Sequence, residues 1–344
     1  MATNYYVDGA VGDDDNAGTS EGAGNALATI NAGVLKCTAV GDHLYIKASV
    51  TYALGNTSTY PVNGTAIAPV ITEGYTATPG DGGMVTIDCA NANDDGSFNS
   101  KNNHIIRNIT VIDSTLNGFN WGACDNCKFE NCQAISCTNI GFLADNYNCF
   151  DRCVAEDNDE GFYVDYEGSF TNCRSVNNAN FAFRCLNYHL TLINCIAAGG
   201  NNYVIYCGYN LTAINCTIDG YGTDVGVQIN AGYYPNIIMN CIIHDCTTGI
   251  QAGAASGASM QIGINNMMNS NTANYAVWAA TDTDFAGVPH FTNEAGGDYS
   301  LGASSDAIGA AYYGINNVTA MMNCGAEQDL ITAGGSTGRI VLTS

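Results

Sequence analysis

The chain has 344 residues, 46% of them hydrophobic and only 12% charged, and its 9 Lys and Arg against 32 Asp and Glu give a net charge of −23. A field of that sign repels nucleic acid, anionic membrane and acidic polysaccharide alike, so nucleic-acid binding is set aside and the acidity is left to serve solubility or cation capture. No run of roughly 18 or more apolar residues occurs, which excludes a helical membrane span, and the Gly and Pro are too patternless for collagen and too well mixed with Val, Ile and Tyr for a disordered tract.

Residues 1–40 read as an N-terminal cap. The opening Met1-Ala2-Thr3-Asn4-Tyr5-Tyr6 has neither the basic nor the apolar region of a secretory leader, so cytoplasmic synthesis is expected, with later display on a virion or extracellular surface. The run Asp13-Asp14-Asp15-Asn16 before Gly18 has the oxygen density of a Ca²⁺ loop, with Asp13, Asp15 and Asn16 as candidate ligands, although Gly24 stands where an EF-hand places its bidentate Glu. Leu27, Ile30, Val34 and Leu35 then recur at helical spacing behind Asn25 as N-cap, which predicts one short amphipathic helix suited to plugging the open end of a solenoid.

Strands follow at Leu44-Tyr45-Ile46, Val70-Ile71 and Val85 to Cys89, and the Thr, Pro and Gly between Tyr52 and Gly83 predict irregular coils with a protruding loop. Over residues 41–280 one phrase recurs. An Asn, usually followed by Cys, stands at Asn108, Asn131, Asn172, Asn194, Asn215, Asn240 and Asn266, with Arg152 in one slot, at a step of 20 to 26 residues. A fixed period of this size is the signature of a solenoid.

Aligned on that Asn, the coils show period-2 alternation. The residue two before it is apolar throughout (Ile106, Phe129, Phe150, Phe170, Leu192, Ala213, Ile238, Ile264), and the one after it is mostly Cys (Cys132, Cys153, Cys173, Cys195, Cys216, Cys241, with Met267 last). A third apolar phrase follows, as in Phe119, Phe142, Phe162, Phe181, Val204, Val227 and Ile250, so each coil carries three short strands with Asn and Gly at the corners. The Cys column is expected to be buried and reduced, because free Cys packs as a small hydrophobe and alternate disulfides would strain a regular stack. Cys124 and Cys127 form a CxxC with no second pair, which is weak as a zinc motif.

The alignment and both ends of the chain resemble the right-handed parallel β-helix of the pectin-lyase-like superfamily, the ends through YYVDGAVGDDDNAGTS and GDHLYIKAS and through VPHFTNEAGGDYSLGASSDAIGAA and CGAEQ. The resemblance implies an all-β solenoid, single-stranded, with a short N-terminal capping helix, and a closing segment plus extended tail over residues 281–344. It does not settle activity, since that superfamily includes lyases, glycosidases, phage tailspikes and structural proteins. The catalytic motifs of its polygalacturonase-like members are absent here, and none of Arg107, Lys128, Arg152, Arg174 and Arg184 sits in a recognisable lyase motif. His43, His104, His189, His244 and His290 are scattered singly and read as structural.

The leading expectation is therefore a structural or adhesive protein on an assembled surface, such as a capsid-decorating or fibre protein of a phage virion, that binds carbohydrate and requires no cofactor beyond an optional Ca²⁺. The alternatives are a polysaccharide lyase or glycoside hydrolase, and a bacterial surface adhesin. Catalytic candidates for the enzyme are the acidic patch Glu156, Asp157, Asp159, Glu160 and Asp165, because paired carboxylates are what glycosidases need. Tyr166, Tyr188, Tyr203, Tyr206 and Tyr209 read as an outer aromatic strip for sugar rings or a neighbouring subunit, and a homotrimer is expected. Arg339, Ile340, Val341 and Leu342 form a β-prone tail that would pair with the sheet edge of a neighbour or of a capsid or other virion surface protein.

Overall fold

The computed structural model describes residues 2–310 apart from 54–57, 90–97, 100, 223–224, 231–234, 254–260, 277–283, 297 and 309. The predicted tail at Arg339–Leu342 lies outside the described residues. The described chain is a right-handed parallel β-helix with a short capping helix, as the repeat predicted. It divides into two compact units, Met1–Ser169 and Phe170–Ser344.

In the first unit, one sheet takes strands Asn4–Val7, His43–Lys47, Val70–Tyr75, His104–Arg107, Lys128–Glu130 and Asn148–Asp151. A second sheet takes Phe119–Trp121, Ile140–Ala144 and Glu160–Val164, and a third takes Tyr52–Ala53, Val85–Asp88, Ile109–Ile112, Gln133–Ile135 and Val154–Glu156. The second unit repeats the scheme. Its first sheet begins with His189–Ile193 and Asn210–Ile214, its second with Phe181–Cys185 and Tyr203–Cys207, and its third with Arg174–Val176 and Ile196–Ala198. All these pairings are parallel, and a right-handed crossover is what right-twisted strands favour.

The interior is built by like residues in register. Phe129 pairs with Phe150 and Phe142 with Phe162, their rings stacked at 4.9 and 4.8 Å. Each such pair is worth about 0.5–1.5 kcal/mol beyond the burial itself. Cys132, Cys153, Cys173, Cys195, Cys216 and Cys241 are all buried free thiols, as expected. Their role is more specific than filling space. Cys132, Cys195 and Cys216 each donate to a carbonyl of the preceding coil, of Ile106, Phe170 and Leu192, at 3.5 Å. A residue of alanine-like bulk with a weak donor suits that position.

The bend before each thiol is a left-handed corner. Asn108, Asn131, Arg152, Asn172, Asn194, Asn215, Asn240 and Asn265 have φ between 53° and 56°. Asn enters this region more readily than other side-chain-bearing residues, and here its amide also bonds to the next corner. Asn131 donates to Asn108 at 2.9 Å and Asn194 to Asn172 at 2.6 Å. Arg152 keeps the corner and turns outward to Asp151, 2.9 Å away.

The structure corrects the sequence alignment in three places. In the last coil the corner is Asn265, not Asn266; Asn266 takes the buried Cys position in place of Met267, and Gly263 takes the inward place of Ile264. In the second unit Phe183 takes the inward place and Phe181 faces out. The helix spans Ile30–Lys36 with Thr29, not Asn25, as N-cap, and Leu35 is 56% exposed while Ile30, Gly33 and Val34 are buried. Asp14 explains the late start: its carboxylate accepts the Ala28 and Thr29 amides at 2.9 Å and the Thr29 hydroxyl at 2.7 Å. The helix lies so close to the first coil that a Cβ on Gly33 would meet Leu44 and Val7 at 2.6 and 2.7 Å.

Candidate functional site

On the second sheet of the second unit, the outward positions carry aromatic and amide side chains in register. Arg184 pairs with Tyr206, Tyr206 with Gln228, and Gln228 with Gln251. Beside them Phe181 and Tyr203 stack at 6.1 Å, Tyr203 and Tyr206 lie 5.8 Å apart, and the Arg184 guanidinium sits 4.8 Å over the Phe181 ring. At the adjoining corner Tyr188 and Tyr209 stack at 5.9 Å, with Tyr188 51% exposed. These faces exist because the coil period returns the same side-chain position every 21 to 25 residues, so single aromatics become a strip. Gln228 is 6% exposed, its Nε2 donates to the Ile229 carbonyl, and its Oε1 has no hydrogen-bond partner among the described residues.

Of the five tyrosines singled out from sequence, the structure brings Tyr203 with Tyr206 and Tyr188 with Tyr209, and joins Phe181 and Arg184 to the first pair. Tyr166 is exposed in the first unit. Phe181 was missed as a surface residue because its coil offers two Phe two positions apart, and periodicity does not say which one turns inward.

A second outward row, on the first sheet of the first unit, is ionic. Tyr6, Tyr45, Glu73, Arg107 and Glu130 occupy one register column. Arg107 is held between Glu73, at 3.7 Å, and Glu130, with Lys128 also on Glu130. Burial raises the Glu73 carboxyl above its usual range, and Arg107 only partly offsets this. Burial acts on Glu130 too, but the bonds from Lys128 and Arg107 outweigh it and leave that carboxyl low. His43 stands 3.3 Å from Glu73 and is pushed down to about 4 by burial and then by Arg107, so Arg107 and Lys128, not His43, carry the positive charge of this group at neutral pH.

The acidic patch is spread around a coil. Glu156 ends the strand Val154–Glu156, and Asp157 forms a second type of left-handed corner, at φ 57°. Asp159 donates its amide to the Asn139 carbonyl, and Glu160 and Asp165 stand at opposite ends of Glu160–Val164. Five residue steps along a strand are about 16 Å of backbone. In the N-terminal turn, Asp13 accepts the Asp15 amide at 3.0 Å and the Asn16 amide group donates to the carbonyls of Ala23 and Ala26.

No protein-family profile and no curated protein sequence matches the chain. Among solved structures it is similar to pectate lyase Pel9A, with a TM-score of 0.59 at 15% identity over 94% of this chain and 96% of that one. It also aligns with the A-module of mannuronan C-5 epimerase AlgE4 from Azotobacter vinelandii, with a TM-score of 0.43 at 14% identity over 72% of this chain and 83% of that one. The likeness to Pel9A agrees with the fold described above, a right-handed parallel β-helix.

Proposed function

We propose that the protein is a carbohydrate-recognising β-helix of the adhesive kind, presented on an assembled surface such as a virion, and that it grips its glycan on the Phe181–Tyr203–Tyr206 face. The observation that carries this reading is the row of outward aromatics, Phe181, Tyr203 and Tyr206, with the Arg184 guanidinium over the Phe181 ring. Sugar rings stack their C–H faces on such aromatics, and their hydroxyls satisfy amides. The net charge of −23 favours a neutral glycan over an acidic one.

A second reading, a polysaccharide lyase, is favoured by one observation: Arg107 and Lys128 stand among carboxylates on the first sheet, in a fold similar to that of pectate lyase Pel9A. One experiment separates the two. The protein is run by affinity electrophoresis through neutral and acidic polysaccharides, and the same mixtures are assayed for chain shortening and for the ultraviolet absorbance of unsaturated ends. Retardation by a neutral glycan without cleavage supports the adhesive reading, cleavage of an acidic one supports the lyase, and neither result sinks both.

A further inference from the structure

The closing segment of the second unit folds back over its third sheet as the hairpin Phe291–Asn293 and Asp298–Leu301, joined through the short helical turn Glu294–Gly296. Its apolar residues pack on outward positions of the sheet: Tyr299 joins Val176, Ile196 and Ala198 in one cluster, and Leu301 packs against the cluster of Ile242, Met267 and Ala307. Beneath the turn the packing is polar. Asp219, His244 and Asn269 occupy successive coils in one register column, and Glu294 comes down from the hairpin to meet them.

Ligand atoms of Asp219, His244 and Glu294 all lie within 4.8 Å of one another. The proton on His244 can be placed from its neighbours. The Asn269 amide nitrogen donates to the Gly287 carbonyl and the Ser270 hydroxyl donates to Asn269 Oδ1 at 3.0 Å, so this oxygen faces His244 Nδ1 at 2.7 Å. An oxygen acceptor there requires Nδ1 to carry the proton. The neutral ring therefore turns the lone pair of Nε2 toward the Glu294 carboxylate, 3.3 Å away, and toward Asp219. Asp219 is fully buried, and one of its oxygens accepts the Tyr299 hydroxyl at 2.9 Å while the other accepts the Tyr221 amide at 3.1 Å.

Two carboxylates and an imidazole lone pair aimed at one point need a positive charge among them. A second proton on His244 would supply one, and a metal ion would supply two. The surroundings have the form of a metal-site second shell: the distal imidazole nitrogen donates to an amide oxygen, and a buried carboxylate is oriented by a tyrosine and a backbone amide. One nitrogen and two carboxylates match a borderline divalent transition ion such as Zn²⁺ rather than Ca²⁺, which takes six to eight oxygens.

We infer that Asp219, His244 and Glu294 form a divalent transition-metal site that clamps the closing hairpin to the third sheet. Asp219 and His244 hold the ion on the solenoid, and Glu294 brings the hairpin to it. Neither the fold nor the proposed glycan face requires this ion.

The test is a Zn²⁺ titration of the full chain by calorimetry, in a Cys149→Ser/Cys324→Ser background. Cys149 is the exposed thiol among the described residues, and Cys324 lies outside them. One ion per chain is expected, with a melting temperature that rises with free Zn²⁺. His244→Ala and Glu294→Gln should each weaken binding by at least about tenfold, the scale on which even outer-shell groups act. Glu294 is 38% exposed in its side chain, so its substitution is not expected to impair folding. Co²⁺ in place of Zn²⁺ should show a visible d–d band with no thiolate charge-transfer band. The inference is overturned if the folded protein takes up no ion saturably, if both variants bind like the parent, or if a thiolate band places the ion on cysteine.

Discussion

Asn131 donates its side-chain amide to Asn108 Oδ1 across 2.9 Å, and both residues hold left-handed backbones, at φ 53° and 56°. One residue thus shapes the corner and ties it to the previous coil, and two substitutions separate the effects. Asn131→Gly keeps the backbone ease and loses the bond, costing about 1 kcal/mol; Asn131→Ala loses both, for about 2 kcal/mol. Denaturant melts measure the difference, and equal losses would show that the corner carries no conformational strain.

The thiol column should be silent in the folded state. Burial holds the Cys195 thiol well above its ordinary range, whereas Cys149 is exposed. A thiol-reactive chromophore should label Cys149 quickly and the buried column only as fast as the chain opens. Peptide mapping after a short pulse reads this, and rapid modification of Cys132, Cys195 or Cys216 would contradict it. Cys195→Ala should cost about 1–2 kcal/mol through the lost sulfur.

Stability should fall on the acid side. Burial pushes His104 down to about 4, and its Nε2 donates to the Val62 carbonyl at 3.1 Å as part of the neutral ring. A histidine depressed by folding lends stability that is complete above its unfolded value and is lost as pH falls through the window from about 6.5 to 4, up to about 3 kcal/mol. His43 contributes in the same window. His104→Gln should flatten part of the pH dependence of the unfolding free energy there; an unchanged slope would mean that His104 titrates normally.

On the aromatic face, Tyr206→Ala and Phe181→Ala should each weaken retention by a neutral glycan roughly five- to fiftyfold, as loss of about 1–2 kcal/mol of stacking implies. Far-UV circular dichroism should stay unchanged, because both side chains point away from the core. Tyr188→Ala tests whether the Tyr188–Tyr209 pair is part of the same subsite or idle.

At the cap, Asp14→Ala removes three acceptor contacts from the start of the helix and should lower stability by about 1 kcal/mol. If Asp14→Asn matches the parent, hydrogen bonding rather than charge is the contribution.

The coil, its parallel sheets and the interior Cys and Phe columns could be read from the sequence because a period of about two dozen residues repeats the same demand many times over. Single events were harder to read. Two adjacent asparagines, Asn265 and Asn266, both fit the phrase, and only register shows that the first bends the chain while the second is buried. The second set of left-handed corners, Asp113, Ser136, Asp157, Asn177, Asp245 and Ser270, varies in identity, so no single residue type marks it in the sequence. Asp219, His244 and Asn269 each lie four residues past a corner asparagine, a spacing visible in the sequence. Glu294 enters from the closing hairpin, outside the repeat, and no periodic argument reaches it.

The buried thiols make unfolding a one-way event outside a reducing compartment. While the coils are closed, the thiols are shielded from oxidants and mutually harmless. Once opened in air, a chain with this many cysteines has far more wrong pairings available than a refolding chain can avoid, and each would lock a coil out of register. Persistence in the field then depends on how slowly the first coil lets go, not on the equilibrium between folded and unfolded chains.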